Sequence, residues 1–185
     1  MGHADGHRDA PRPGDGLLEP LVLGALILLA VNDQLLKAAS PGPVTGVLSD
    51  IAGLIVAPVA LQAAWETGQW AVGRWRGPSS RLLAVAAVIV GVGFTALQLW
   101  PPATDLYRIG LGALQWPIAA LVAALGGSPT PPVRPVVAVA DVGDLVALPV
   151  MAVTTWWLAR RRSARAVQAA ALDPATQVEQ AAPRR

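Results

Sequence analysis

Long apolar stretches separated by short polar segments run through most of this chain. Four of them are strongly apolar and predict membrane-spanning helices near residues 17–39, 44–65, 82–100 and 136–158, because a helix needs about 20 apolar residues to cross a bilayer. Only Ser-Pro-Gly-Pro at 40–43 separates the first two spans, which predicts an antiparallel helical hairpin. The pattern predicts an all-α integral membrane protein with four transmembrane helices.

A fifth apolar stretch, residues 106–125, is interrupted by Arg108 and Pro117. Arginines cluster at 74–81 and again at 160–165, and the positive-inside rule predicts that both clusters face the cytoplasm. An even number of crossings must then lie between them. The fifth stretch is therefore interpreted as a re-entrant or interfacial helix on the outer side, and a protein with five spans is the alternative.

The two ends of the chain are polar. Residues 1–16 combine Gly, Pro and charges of both signs, which is typical of a disordered tail. Residues 159–185 continue from the fourth span as a basic tail. With four crossings, both termini are predicted to be cytoplasmic in a multi-pass protein.

Composition narrows the class of protein further. Apolar residues make up 54% of the chain and charged residues 14%, with a mean hydropathy of +0.48, so the lipid bilayer is its expected environment. The chain has no cysteine, and neither histidine lies in a predicted span, so no haem, iron–sulfur or thiolate metal site is expected. The arginines flank spans, and no nucleic-acid partner is expected.

The polar stretch from Asn32 to Asp50 lies between apolar runs that are too short to span a bilayer alone. The runs at 20–31 and 51–65 must be extended by neighbouring polar residues, which carries those residues into the membrane. An ionisable group at such depth costs about 2.5–3.5 kcal/mol and usually marks a functional site. Lys37 is the single lysine beside thirteen arginines. The candidates for ligand or ion binding in this stretch are Asn32, Asp33, Lys37, Ser49 and Asp50.

A short motif occurs twice. Residues 50–59 align with residues 141–150, with Asp, Leu, Pro and Val in the same positions. This pattern favours an internal repeat of two plus two helices, and convergence of apolar helices is the alternative. A repeat would place Asp50 and Asp141 at similar depth in one acidic pocket, with Asp144 on nearly the same face as Asp141. We assign no metal ion to this pocket. Secondary candidates around it are Thr95, Gln98, Tyr107 and Arg108.

Three patches resemble a group of small bacterial polytopic membrane proteins of unknown function. They are NDQLLK at 32–37, TGVLSD at 45–50 and DVGDLVALP at 141–149, and they are similar to N-D-x-x-L-K, T-G-K-L-S-D and D-P-T-D-L-x-A-L-P in that group. The chain departs from the pattern at Val47, where the group has Lys, and at Val142 and Gly143, where it has Pro-Thr. The resemblance implies a location in the bacterial inner membrane and supports the choice of candidate residues.

Three classes of function fit these observations. The favoured hypothesis is a binder or transporter of a cation or small polar ligand that uses the outer-leaflet acidic pocket; a chain of 185 residues is small for a transporter unless it forms a homodimer. A structural or assembly subunit, whose buried charges fix helix packing, is the second. A membrane-embedded enzyme with an Asp pair as general acid and base is the least favoured, because common catalytic motifs are missing from the sequence.

Overall fold

A computed structural model describes residues 11–36, 39 and 42–171 of the protein. Within these residues all regular secondary structure is helical and there is no β-strand, as the sequence predicted. Two 3₁₀-helices, at Asp15–Leu18 and Val142–Ala147, precede the first and last α-helices. The α-helices are α1 (Pro20–Val31), α2 (Pro43–Ala71), α3 (Ser80–Leu99), α4 (Pro101–Leu125) and α5 (Leu148–Ala171).

Four helices are long and apolar enough to cross a membrane, by length and composition. Together with one shorter apolar helix, they confirm the predicted fold class. The shorter helix is the first, Pro20–Leu36, while the stretch predicted as re-entrant or interfacial is a continuous helix of 25 residues and belongs to the four. The last predicted span also differs, because residues 136–140 are not helical and regular structure begins at Val142.

The described chain divides into two compact units, which are taken separately. The first comprises the described residues up to Val90 and from Ala147 onward. Its core is a set of large apolar side chains contributed by α1, α2, α3 and α5. The four at its centre are fully or almost fully buried: Val22, Val59, Leu83 and Leu158.

Helix α2 is the longest element of the first unit. It starts on Pro43, where the missing backbone N–H costs nothing. It ends in a Schellman-type turn at Gly73, whose φ of 69° favours glycine. The Arg74 amide donates back to the Gln69 carbonyl at 2.8 Å, so the last carbonyls of the helix are satisfied before the chain turns.

The C-terminal ends of α2 and α5 lie together in the first unit. Arg162 Nη1 donates to Gln62 Oε1 at 2.9 Å, and Gln62 Nε2 donates to the carbonyl of Ser79 at 3.2 Å. The arginines at 74–81 and at 160–165 are therefore at one end of this unit, which we call the arginine end. Two of them stack on tryptophans one turn earlier, as Arg160 does on Trp156 at 4.5 Å.

The second unit, Gly91–Val146, is built on α4 and the segment that follows it. Residues 128–140, which we call the return segment, have no regular secondary structure and run back along α4. Its N-terminal part contacts the C-terminal half of the helix and its C-terminal part contacts the N-terminal half. Contacts along its length include, in chain order, Trp116 Nε1 to the Pro131 carbonyl at 2.7 Å, Gly112 against the Arg134 carbonyl, and the Val136 amide to the Arg108 carbonyl at 3.0 Å.

The return segment brings the chain back to where α4 began. Trp100 precedes α4, and the amide of Asp141 donates to Gln98 Oε1 at 2.8 Å. Helix α4 and the return segment thus form an excursion that leaves the end of α3 and comes back to it. The close approach at Gly112 depends on the absence of a side chain, because a Cβ there would overlap the Arg134 carbonyl.

Candidate functional site

Four of the polar residues between the first two apolar runs form one hydrogen-bonded group in the first unit. Asn32 Nδ2 donates to the Thr45 carbonyl and to Ser49 Oγ, both at 2.7 Å. The Ser49 hydroxyl donates in turn to Asp33 Oδ1 at 2.8 Å. These residues, Asn32, Asp33, Thr45 and Ser49, are the Asn32 cluster, and they join the end of α1 to the first turns of α2.

Asn32 is the buried centre of this cluster. Its relative exposure is 0%, and its Oδ1 has no hydrogen-bond partner within the described part of the chain. Reversing the amide would set Oδ1 against the Thr45 carbonyl at 2.7 Å, so the contacts fix its orientation. A buried acceptor without a donor costs about 1–3 kcal/mol. The cluster therefore contains one unused acceptor.

The backbone around Asn32 is itself unusual. Residues Asn32–Leu36 form a π-helix, a widened turn that is rare in proteins and frequent at functional sites. Asp33 is exposed on this turn, and Asp50, which follows Ser49 on α2, is half-buried. Lys37, the remaining candidate of this stretch, lies outside the described residues.

The candidates in the second unit form a separate group around the 3₁₀-helix Val142–Ala147. Asp141 caps this helix, because its Oδ1 accepts from the Gly143 amide at 2.8 Å. Gln98 accepts from the Asp141 amide at 2.8 Å and donates to Asp144 Oδ2 at 3.2 Å. These contacts stabilise the 3₁₀-helix and connect it to Gln98 at the end of α3.

The secondary candidates other than Gln98 have no hydrogen bond to this group among the described contacts. Thr95 donates to the Gly91 carbonyl within its own helix at 2.7 Å. Arg108 donates to the Val136 carbonyl at 3.3 Å and pairs with Asp105 at 3.6 Å, so it braces the return segment. Tyr107 is 41% exposed.

The two copies of the repeated motif differ in local structure. Residues 50–58 are α-helical throughout, while Asp141 caps a 3₁₀-helix and α-helix begins only at Leu148. The shared pocket of Asp50 and Asp141 stays a prediction, since the two belong to different units. Among the described residues, no three His, Cys, Asp or Glu side chains are grouped so that they could hold a metal ion.

A second polar cluster, at the arginine end, was not among the predicted sites. Gln62 and Glu66 are 2% and 3% exposed, and Gln62 Nε2 donates to Glu66 Oε1 at 2.6 Å. Glu66 Oε2 accepts from the Gly14 amide at 3.2 Å. With Ser79 and Arg162, these residues form the Gln62 cluster, in which the central amide uses its oxygen and both hydrogens. The buried amide of Gln62 thus forms hydrogen bonds with both the Glu66 carboxylate and the Arg162 guanidinium.

An ion pair fixes the start of α1 beside this cluster. Glu19 precedes Pro20 and is 8% exposed, and its Oε1 accepts from Arg165 Nη1 at 2.5 Å. Residues 11–16, predicted as part of the tail, lie next to it, because Gly14 is bound by Glu66. The sequence signal for the Gln62–Glu66 pair was present, because the two residues are four apart, on one helical face at the end of an apolar run.

The chain matches no family model, and no curated protein or solved structure matches it. The class of protein is accordingly defined by the fold and the polar clusters alone. It is a multi-pass α-helical membrane protein.

Proposed function

We propose that this protein binds a cation, or a small polar ligand with N–H or O–H donors, at the Asn32 cluster. The observation that carries the proposal is the fully buried Asn32 side chain, whose Oδ1 has no donor among the described residues. A bound cation or donor group would satisfy that oxygen and remove its desolvation cost.

The hydrogen-bond directions in the cluster favour this class of ligand. The hydrogens of Asn32 Nδ2 point to Thr45 and Ser49, and the Ser49 hydroxyl is directed to Asp33. The capacity that remains on Asn32 is that of an acceptor, and the neighbouring Asp33 contributes negative charge. Asp50, one residue after Ser49, adds a second carboxylate to the neighbourhood. The π-helical turn supports the same assignment.

Two further observations support an orientation with the Asn32 cluster toward the outer leaflet. Ser49 and Gln62 are 13 residues apart on α2, which is about 20 Å at 1.5 Å per residue. The Asn32 cluster is therefore far along the helix from the arginine end. The positive-inside rule places the arginine end in the cytoplasm. The resemblance of the three sequence patches to bacterial membrane proteins supports the cytoplasmic membrane of a bacterium as its location.

The return segment favours four crossings over five. The return segment has no regular secondary structure, and such backbone in lipid would leave carbonyls and amides without partners, which is strongly unfavourable. We therefore place α4 and the return segment at the outer interface rather than through the bilayer, although α4 is long enough to span it. Since this excursion starts and ends beside Gln98, it adds no net crossing. Both termini are then cytoplasmic.

Reporter fusions test this orientation. Fusions at Gly77 and Arg165 should report cytoplasm, and a fusion at Gly127, between α4 and the return segment, should report periplasm. A cytoplasmic signal at Gly127 would mean that α4 crosses the bilayer and the return segment crosses back. A periplasmic signal at Arg165 would establish α4 as a fifth span.

Ligand binding is tested on the purified protein in detergent. Its thermal unfolding is measured with Na⁺, K⁺, Mg²⁺, Ca²⁺ and ammonium salts at equal ionic strength, and native mass spectrometry records bound species. We expect one of these cations to raise the melting temperature of the wild-type protein. Asp33→Asn and Asn32→Leu should abolish that shift. Asp105→Asn, which removes the same charge from the second unit, should retain it. Identical responses in all four proteins would overturn the proposal.

A structural role is the second candidate, and a specific observation favours it. Each hydrogen bond of the Asn32 cluster joins Asn32 or Asp33, which follow α1, to a residue of α2. The cluster therefore also fixes how these helices pack. In that case Asp33→Asn lowers the melting temperature by the same amount with and without cations. An enzyme that uses an Asp pair stays a prediction.

A further inference from the structure

A pocket opens at the arginine end, in the turn between α2 and α3. It has a volume of 530 Å³ and lies within the first unit. Two arginines, a tryptophan and small or polar residues line it, and no acidic residue does. The lining residues are Gln69, Gly73, Arg74, Trp75, Arg76, Gly77 and Ser79. A pocket with this lining is suited to an anion.

The tryptophan in this pocket has an unsatisfied donor. Trp75 Nε1 is buried and has no acceptor among the described residues. An indole nitrogen can only donate, so the partner it lacks is an acceptor oxygen. A buried indole usually finds such a partner. Trp75 is therefore an observation independent of the arginines: a ligand oxygen that displaces the atoms covering Nε1 would supply the missing acceptor.

Backbone dipoles at the pocket also favour negative charge. Helix α3 begins at Ser80, and Ser79 Oγ accepts from the Leu82 amide at 3.3 Å, so the N-terminal end of a 20-residue helix faces this turn. The C-terminal carbonyls of α2 carry partial negative charge, which would repel an anion. This repulsion is reduced, because the Arg74 and Gly73 amides already bind the Gln69 and Trp70 carbonyls. Glu66, the nearest acidic side chain along α2, is engaged by Gln62 and Gly14.

We propose that this pocket, the Trp75 pocket, binds a phosphate group. Arg74 and Arg76 supply charge and fork-shaped donors that match phosphate oxygens, and Trp75 supplies a neutral donor. Its volume has room for the phosphate together with the small polar group that carries it. The phosphate belongs either to the headgroup of an anionic lipid or to a soluble phosphate compound, since the two share this chemistry.

The experiment uses the full-length protein in nanodiscs and separates the two sources. One arm titrates inorganic phosphate or glycerol 3-phosphate into nanodiscs of phosphatidylcholine alone. The other arm compares these with nanodiscs that also contain phosphatidylglycerol. Melting temperature and, after gentle release into the gas phase, retained phosphatidylglycerol are the readouts. We expect stabilisation by phosphatidylglycerol, by the soluble phosphates, or by both; the arm that responds identifies the source.

Three variants make the result specific to the pocket. Arg74→Gln/Arg76→Gln should weaken apparent binding more than about tenfold, and Trp75→Phe, which removes only the N–H donor, by about tenfold. Arg81→Gln/Arg160→Gln removes the same charge from the arginine end outside the lining and should leave binding within about twofold. No response in either arm would overturn the proposal. Equal loss in both double variants, or no loss in Trp75→Phe, would overturn it too, because the arginines would then act as a general surface charge.

Discussion

Replacing Gln62 with leucine should lower the free energy of unfolding by about 2–3 kcal/mol. Leucine has nearly the same volume, so the loss is that of the hydrogen bonds to Glu66, Arg162 and Ser79. A hydrogen bond to a buried charge is worth about 1.5–3 kcal/mol. The Glu66 carboxylate, 3% exposed, cannot recover this from water, whereas half-buried Arg162 can be partly hydrated and the Ser79 carbonyl keeps the Leu83 amide at 3.1 Å.

The assay is equilibrium unfolding in mixed micelles by titration with sodium dodecyl sulfate, followed by tryptophan fluorescence. Gln168→Leu, an exposed glutamine on α5, is the matched control and should change stability by less than about 0.5 kcal/mol. Adding Glu66→Gln to Gln62→Leu should restore about 1 kcal/mol, because the stranded charge is then gone. A loss below about 0.5 kcal/mol for Gln62→Leu, or strict additivity of the two changes, would refute the reasoning.

Substitutions at three other positions are expected to have defined effects. Arg165→Met should lower the free energy of unfolding by about 2 kcal/mol in the same assay, between the values for surface and buried ion pairs. Adding Glu19→Gln should recover part of this loss. If the double variant instead lost the sum of the two single losses, the two side chains would not form a direct pair. Gly112→Ala should displace the return segment and make it more susceptible to limited proteolysis, while Gly110→Ala, with open space at its Cβ, should match the wild type; equal cleavage of both would disprove the close approach. Asn32→Ala should cost about 2–3 kcal/mol and Asn32→Leu less, because both variants lose the two hydrogen bonds of Nδ2 but only alanine leaves a cavity; equal losses in thermal unfolding would contradict this.

The length of the apolar runs was the sequence feature that predicted most of the architecture. The apolar run that ends at Val31 is too short to span a bilayer, which drew attention to Asn32, and the structure buries Asn32 completely. The arginine clusters were predicted to share one side, and the Gln62–Arg162 bond sets them at one end of the first unit. Both predictions rest on strong physical costs, those of polar groups in lipid and of charge across a membrane.

The hydrogen-bond partners of individual side chains could not be predicted from the sequence. Arg162 and Arg165 were interpreted as topology signals like their neighbours, but one bonds Gln62 and the other Glu19. The capping of a 3₁₀-helix by Asp141 was not predicted. Residues 136–140 were predicted as the start of a span because they are apolar, but they are not helical, and the Val136 amide bonds the Arg108 carbonyl of α4. Hydropathy does not distinguish these cases.

The excursion of α4 and the return segment has a consequence for how this chain tolerates insertion and deletion. Its entry and exit are joined by one hydrogen bond of 2.8 Å between Gln98 and Asp141. A segment whose ends lie that close can be exchanged for a longer or shorter one with little change in the closure entropy of its flanks. The stretch between these two residues therefore has the geometry of an interchangeable module, able to vary in size and surface while the polar clusters of the first unit keep their own sequence constraints.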